Sequence, residues 1–94
     1  MEIVYATSFK QRLFGLCFQK NINHILVLPK CNSIHTFFMK NNIDIYMTDK
    51  DKRILHIFKN LSPFKIIWPK KHVYYVYETP VNYYNFKINQ KMDF

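Results

Sequence analysis

The stretch that decides the fold runs from residue 43 to residue 57 and reads Ile43-Asp44-Ile45-Tyr46-Met47-Thr48-Asp49-Lys50-Asp51-Lys52-Arg53-Ile54-Leu55-His56-Ile57. In its first arm, Ile and Met residues alternate with a second set of side chains, which is the period of a strand with two different faces. The residues at 49–52 are typical of a turn. The stretch therefore predicts a β-hairpin in which Lys52 takes the left-handed conformation usually occupied by glycine.

The other apolar runs are also short and rich in Ile, Val, Tyr and Phe, which favours strands over helices. The whole chain is predicted to form seven strands, at Glu2–Ala6, Ile25–Leu28, Asn42–Thr48, Arg53–Phe58, Phe64–Trp68, Val73–Thr79 and Tyr83–Ile88. The four prolines lie at the ends of such runs, where a missing N–H does not break a strand ladder.

One segment has the pattern of a helix instead. Ser8 and Gln11 have the spacing of a capping box, with Ser8 as the N-cap. The predicted helix covers Phe9–Phe14, and Gly15 follows it where a helix end often needs a residue with positive φ. Because Gly15 is the only glycine in the chain, we assign it, together with Ser8, a structural role.

The domain organisation is simple. No repeat and no linker rich in Gly, Ser or Pro divides residues 1–94, so the chain is expected to be a single domain. The predicted fold class is mainly β: a small antiparallel sheet, barrel-like or sandwich-like, with one short N-terminal helix.

The chain is strongly basic, with a formal net charge of +8, of which +6 falls in residues 50–94. Such a charge is compatible with an anionic partner such as nucleic acid. However, the chain has twelve Lys and only two Arg, and it is rich in Asn, Ile, Tyr and Phe. That bias is typical of an AT-rich genome, and nucleic-acid binders usually rely on Arg. We therefore attribute the charge mainly to composition.

Motifs for known chemistry are missing from the sequence. It has no glycine-rich phosphate loop, no nucleophile elbow and no paired Cys or His spacing for a metal. We therefore expect no cofactor and no metal, and we favour a non-enzymatic protein. Cys17 and Cys31 are expected to be free thiols. The first residues lack the features of a signal peptide and no run is long enough to span a bilayer, which predicts a cytoplasmic protein.

Polar residues enter a dense apolar run at His35 and Thr36, and Asp44 follows shortly after. A carboxylate partner would fix the tautomer of a histidine, so His35 and Asp44 could form a polar pair at the mouth of a pocket. In the alternative interpretation, His35 is a hydrogen-bonded residue that only fixes a loop. Both interpretations remain open at this point.

Two further features have a structural and a functional interpretation. Arg12 could form a salt bridge or clamp backbone carbonyls, or it could bind an anion. The aromatic residues of the basic half could stack on single-stranded nucleic acid, or they could be core and cross-strand pairs. These aromatic residues are Trp68, Tyr74, Tyr75, Tyr77, Tyr83 and Tyr84.

The sequence resembles the domain of unknown function 192 family, a widespread prokaryotic family. The resemblance depends on Ala6-x-Ser8-x-x-Gln11-Arg12-x-x-Gly15-Leu16, Ile34-His35-Thr36-Phe37-Phe38-Met39, Ile43-Asp44-Ile45, Asp49, Asn60-Leu61-x-Pro63-Phe64 and Glu78-x-Pro80. The chain departs from the family pattern at Cys17, where Met is common, at Lys52, where Gly is common, and over the eroded C-terminal residues 82–94.

The resemblance implies a mainly β, barrel-like domain with a short N-terminal helix, and it implies no activity. The matched polar residues are the site candidates, namely Arg12, His35, Thr36, Asp44 and Glu78. We expect a non-enzymatic domain that binds a small ligand or a protein segment in a polar groove near His35 and Asp44. The alternatives are single-stranded nucleic-acid binding by the basic, Tyr-rich half, and an enzyme with His35 as general base and Asp44 orienting it.

Overall fold

Seven β-strands form the regular structure of the computed structural model, which describes residues 2–6, 24–37 and 39–94. The strands are β1 (Glu2–Tyr5), β2 (His24–Pro29), β3 (Ile34–His35), β4 (Ile43–Thr48), β5 (Ile54–Leu61), β6 (Ile66–Ile67) and β7 (Tyr75–Pro80). Five of them form one sheet in the order β1-β2-β7-β4-β5, and β3 pairs with β6 in a small second sheet. The last strand, β7, therefore lies at the centre of the main sheet.

The predicted hairpin is confirmed as β4 and β5, which pair antiparallel. Asp49 organises its turn, because the Asp49 carbonyl accepts from the N–H of Lys52 at 3.0 Å. One carboxylate oxygen of Asp49 also accepts from the N–H groups of Asp51 and Arg53. Lys52 has a φ of 69°. This is the left-handed conformation that was predicted for Lys52 from its position in the turn, where glycine is usual. The turn thus has the backbone that the residue pattern indicated, with a side chain that does not favour it.

Replacing Lys52 with glycine is expected to raise the free energy of unfolding by about 0.5–1 kcal/mol, because glycine adopts positive φ without a steric cost. The gain is limited by the loss of the contact between the Lys52 ammonium and the Tyr75 ring, whose centroid is 5.5 Å away. Thermal denaturation measures the effect. Lys50→Gly is the matched control and should lower stability, because positive φ is not found at Lys50. A Lys52→Gly variant no more stable than the parent would contradict this account.

The main sheet is buried on both faces because strands β2, β4 and β7 alternate two sets of apolar residues. The front face is defined by Leu26, Leu28, Ile43, Ile45, Met47 and Val76, and it packs against Ile34, Met39 and Ile67 of the β3–β6 region. The back face is defined by Val27, Tyr46, Ile54 and Tyr77, and it packs against Tyr84, Phe86, Met92 and Phe94 near the C-terminus. Each face therefore has its own small core.

The predicted fold class needs correction. The protein is mainly β, but the predicted antiparallel sheet, barrel-like or sandwich-like, is wrong. β1 and β2 pair in parallel, which makes the five-stranded sheet mixed, and β1 and β5 are its two ends. The alternation of side chains in a strand is the same whichever way its neighbour runs, so the sequence pattern could not reveal this pairing.

The predicted helix at Phe9–Phe14, with Ser8 and Gly15 at its ends, lies outside the described residues. No helix occurs within residues 2–6, 24–37 and 39–94. The described fold is therefore a mixed five-stranded sheet with a two-stranded sheet beside it.

The predicted strand at Tyr83–Ile88 is also wrong, because these residues form no strand. Their aromatic rings alternate because they pack on the back face. The hydroxyl of Tyr46 donates to the carbonyl of Tyr84 at 3.1 Å, and the Tyr46 ring meets Phe86 edge-on. The alternation of apolar residues here reflects the burial of an irregular segment. An alternating pattern alone therefore does not establish a strand.

Across the residues that the structure describes, no helix is long and apolar enough to cross a membrane.

Candidate binding surface

The two-stranded sheet of β3 and β6 presents a side that points away from the main sheet. Ile34 and Ile67 are cross-strand partners and pack on the front face. The next pair, His35 and Ile66, therefore points to the opposite side. We call this side the outer face and define it by His35, Phe37, Phe64, Ile66 and Trp68. His35 and Ile66 take this orientation because their neighbours along the strands, Ile34 and Ile67, pack in the core.

The outer face exposes large apolar side chains. Phe64 and Trp68 are each 70% exposed, and Ile66 is 44% exposed. The ring of Phe37 lies between two neighbours, with its centroid 5.1 Å from that of His35 and 6.5 Å from that of Phe64. A single exposed apolar residue is ordinary, whereas several on one small sheet indicate an interaction surface.

Phe64 holds its position at a cost in backbone energy. Its φ is 63°, which is unfavourable for a bulky side chain. Thr36 fixes this conformation, because its carbonyl accepts from the N–H of Phe64 at 3.1 Å. The Thr36 hydroxyl donates to Ser62 O at 2.8 Å and accepts from the N–H of Lys65 at 2.9 Å. Thr36, which is buried, thus positions the loop that presents the Phe64 ring.

His35 has an unpaired polar atom that is enclosed by the fold. Its Nδ1 is enclosed and has no hydrogen-bond partner, and it is the only such side-chain atom among the described residues. Buried ring nitrogens normally find a partner. The His35 ring also stacks on Phe37, which holds the imidazole in a fixed orientation. The alternative interpretation, in which His35 is a hydrogen-bonded residue that fixes a loop, therefore finds no support from Nδ1, which makes no hydrogen bond within the described part of the chain.

The segments that form the outer face carry positive charge only. Residues 31–43 contain Lys40, and residues 60–72 contain Lys65, Lys70 and Lys71, with no Asp or Glu in either segment. Lys70 lies over the ring of Phe58 at 5.7 Å. The outer face is thus an apolar surface whose two segments contain lysines and no acidic residues. Such a surface favours a partner with acidic side chains.

Asp44 has a different position from the one the polar-pair hypothesis required. It is fully buried, and its neighbour in β7 is Thr79. Since Ile43 and Ile45 belong to the front face, Asp44 between them points to the back face. His35 lies in the layer over the front face. The structure therefore does not bring His35 and Asp44 together.

The Asp44 carboxylate binds the backbone at the end of β5 and in the turn after β7. One oxygen accepts from the N–H of Asn60 at 2.7 Å, and the other accepts from the N–H of Asn82 at 2.9 Å. Both asparagines have positive φ, at 54° and 61°. The ammonium of Lys59 lies 2.5 Å from the second oxygen. Within the described part of the chain, none of the Asp44 bonds goes to His35, and the arrangement is that of a structural anchor.

Glu78 lies on the opposite side of the sheet from Asp44. It pairs with Leu26 of β2 and Ile45 of β4, both of the front face. It is only 5% exposed, and burial raises the pKa of Glu78 to about 8. Asp44 and Glu78 therefore cannot form the paired carboxylates of an acid–base site.

The remaining candidates from the sequence are Arg12 and the tyrosines of the basic half. Arg12 lies outside the described residues. The tyrosines predicted as a stacking surface are mostly engaged within the fold: Tyr77 is fully buried and its hydroxyl donates to the carbonyl of Phe94 at 2.5 Å. Tyr84 stacks on Phe86 with centroids 4.5 Å apart. Tyr83 is 46% exposed. The tyrosine part of the nucleic-acid hypothesis thus corresponds mainly to core and cross-strand contacts.

A groove of about 530 Å³ lies beside the hairpin turn, lined in part by Asp49, Lys50, His72 and Tyr74. Asp49 already serves the turn through two hydrogen bonds to one of its oxygens. No group of three or more His, Cys, Asp or Glu in the described ranges is arranged to hold a metal ion. The outer face remains the better candidate because its apolar side chains have no such internal role.

Sequence reasoning placed Phe64, Ile66 and Trp68 in one strand, and it considered only Trp68 as a contact residue, for nucleic acid. The available signal was the pair of prolines at 63 and 69, which confines the run to a short isolated piece. Such a piece is too short to be covered on both sides by neighbouring strands. Its second set of alternating residues was therefore a candidate for an exposed face.

The model of the DUF192 family, described as an uncharacterized ACR, matches residues 1–92. The chain belongs to the DUF192 family. The resemblance drawn from the sequence motifs is thereby confirmed. A UPF0127 protein of Thermococcus kodakarensis is 38% identical to this DUF192 chain over 86 residues, covering 85% of the chain and 54% of that protein. A UPF0127 protein of Pyrococcus horikoshii is 36% identical over 84 residues, covering 84% of the chain and 72% of that protein.

The DUF192 chain spans little more than half the length of the Thermococcus relative. Two solved structures share its fold. One is a protein of unknown function from Novosphingobium aromaticivorans, with a TM-score of 0.74 and 16% identity over 85% of this chain and 63% of that one. The other is a putative transcription regulator from Sinorhizobium meliloti, with a TM-score of 0.72 and 19% identity over 84% of this chain and 67% of that one. At these identities the likeness shows the fold alone.

Proposed function

We propose that this DUF192 domain is a non-enzymatic binding module that holds an acidic, apolar segment of a partner protein on the outer face. The observation that carries the proposal is the exposure of Phe64 at a positive φ, which is held by the hydrogen bond that the Phe64 N–H donates to the Thr36 carbonyl. A backbone strain that only serves to present an apolar ring to water is expected where that ring has a partner.

The chemistry of the outer face defines the partner. Phe64, Ile66 and Trp68 offer apolar contact area, and aromatic side chains are frequent anchors in protein interfaces. Lys65 and Lys71 lie in the same segment and attract acidic residues around the apolar contact. A short segment that alternates apolar and acidic side chains satisfies both the apolar and the charge requirement.

Trp68 makes the proposal directly testable, because it is the only tryptophan in the chain and is 70% exposed. We expect its fluorescence to shift to the blue when an acetylated, amidated octapeptide that alternates Phe or Leu with Asp or Glu is added. Phe64→Ser should weaken this binding at least tenfold. Ile88→Ser is the matched control, because Ile88 is 50% exposed and lies elsewhere in the chain, and it should leave the affinity unchanged.

Three outcomes would overturn the proposal. The acidic peptide could leave the Trp68 fluorescence unchanged at millimolar concentration. A peptide of the same apolar residues with Lys in place of the acids could bind equally well. Alternatively, a single-stranded oligothymidylate could shift the fluorescence where the acidic peptide does not, and affinity that then falls steeply with salt would assign the surface to nucleic acid.

A further inference from the structure

One end of the main sheet collects basic residues from several parts of the chain. A cross-strand row marks this end, because Pro29 of β2 and Thr48 of β4 both pair with Tyr75 of β7. Thr48 also pairs with Ile54 of β5, which completes the row. The hairpin turn and the residue after β2 lie beyond it. We call this region the hairpin end and define it by its cations, Lys30, Lys50, Lys52, Arg53 and Lys91.

Two of these cations are held against aromatic rings. The ammonium of Lys50 lies 5.7 Å from the ring centroid of Tyr74, and that of Lys52 lies 5.5 Å from the ring centroid of Tyr75. The two rings meet edge-on, with centroids 4.8 Å apart. The two ammonium groups are therefore held over one pair of neighbouring rings.

The basic region continues into the C-terminal segment. Arg53 pairs with Lys91 in an isolated bridge between the two backbones. The guanidinium of Arg53 donates from Nη1 to the carbonyl of Asn89 at 2.9 Å. A compositional bias toward lysine sets the number of cations, but it does not decide where the fold places them. Cations that the fold already holds in place lose little freedom when an anion binds.

Two acidic residues, Asp49 and Asp51, lie in the same turn. One oxygen of the Asp49 carboxylate accepts from the N–H groups of Asp51 and Arg53, at 2.9 and 3.0 Å. These N–H groups offset part of the negative charge of Asp49. The cations of the hairpin end outnumber its acids, so this region attracts an anion.

A groove at the hairpin end adds a place for an aromatic group. It has a volume of about 530 Å³, and Lys50, His72 and Tyr74 line it together with the apolar side chains of Leu55 and Val73. An aromatic ring and cations side by side are the means by which proteins bind single strands, since bases stack on rings and phosphates meet cations. Contacts to phosphate need no arginine fork, so the scarcity of Arg does not oppose this chemistry.

We propose that the hairpin end binds single-stranded nucleic acid without sequence preference, with the phosphates on its five cations and one base in the groove beside Tyr74. The site shares no residue with the outer face and does not depend on the function proposed for that face.

The test measures the fluorescence anisotropy of a labelled oligothymidylate of about twelve nucleotides with the full chain at several NaCl concentrations. We expect the logarithm of the binding constant to fall with that of the salt concentration with a slope of about −2 to −3. The double substitution Lys50→Gln and Lys52→Gln should make this slope shallower by about 1.4. Lys40→Gln is the matched control, because Lys40 is exposed and precedes β4 at the opposite end of the sheet, and it should leave the slope unchanged.

A second variant separates base stacking from charge. Tyr74→Leu keeps an apolar side chain in the groove, and it should weaken oligothymidylate binding at least about fivefold while leaving the binding of inorganic polyphosphate unchanged. Thermal denaturation establishes that each variant is folded.

The proposal fails if the parent protein does not bind oligothymidylate at low salt, or if the double variant and the Lys40→Gln control have the same slope. It also fails if Tyr74→Leu binds oligothymidylate as tightly as the parent, because the hairpin end would then bind polyanions of any kind through charge alone.

Discussion

Replacing Glu78 with glutamine should stabilise the protein at pH 8 by roughly 3–5 kcal/mol. The folded state raises the pKa of Glu78 to about 8 from an ordinary value of 4.5. Between these two values the folded protein binds more protons than the unfolded chain. The stability contributed by the neutral acid is therefore complete below pH 4.5 and is lost as the pH rises through 8. Glutamine resembles the neutral acid and does not titrate, so its advantage grows over this window.

Urea denaturation at several pH values between 4 and 9 measures this effect as the difference between Glu78→Gln and the parent. We expect a small difference at pH 4 and a steady rise to pH 8. Glu2→Gln is the control, because Glu2 is exposed, and its difference should stay within about 0.5 kcal/mol. A difference for Glu78→Gln that does not depend on pH would contradict the burial argument.

Replacing Asp44 with asparagine is expected to cost about 2–4 kcal/mol of stability, and replacing it with alanine about 3–5 kcal/mol. The carboxylate accepts from the N–H groups of Asn60 and Asn82 and also binds Lys59. An amide side chain provides one acceptor oxygen, so at least one of these backbone N–H groups loses its partner. Alanine leaves both without one.

Asp49→Asn is the matched control for Asp44→Asn. The carboxylate of Asp49 also accepts from two backbone N–H groups, but in an exposed turn where water can replace the lost bond. Chemical denaturation should show that Asp44→Asn costs at least about 2 kcal/mol more stability than Asp49→Asn, because Asp44 is fully buried and its hydrogen bonds are partly buried, whereas those of Asp49 are exposed. Equal losses of stability in the two variants would show that the burial of Asp44 makes no contribution.

The β4–β5 hairpin could be predicted because its information is local. Strand alternation and turn residues lie within residues 43–57, and the positive φ of Lys52 follows from the position of that residue in the turn. The parallel pairing of β1 with β2 could not be predicted, because direction is decided by the path of the chain between them. The small β3–β6 sheet was missed because each strand has two residues, which is too short for any period to be visible.

The candidate sites also depend partly on local information and partly on the pairing of distant strands. His35, Asp44 and Glu78 could be named from the sequence, but their relation depends on which side of a strand each one occupies. Ile45 and Glu78 are partners across β4 and β7, as are Asp44 and Thr79. A shift of one position along β4 therefore exchanges the front face for the back face. Only the register reveals that Asp44 and Glu78 lie on opposite faces of the sheet.

The central place of β7 has a consequence for the synthesis of the protein. β2 and β4 are made early but have no hydrogen bonds to each other, since β7 lies between them. A nascent chain that has not yet emerged beyond Pro80 leaves two apolar strand edges open to other chains. The domain is thus expected to complete its main sheet only after β7 has been synthesised, and until then those edges can pair with other polypeptides.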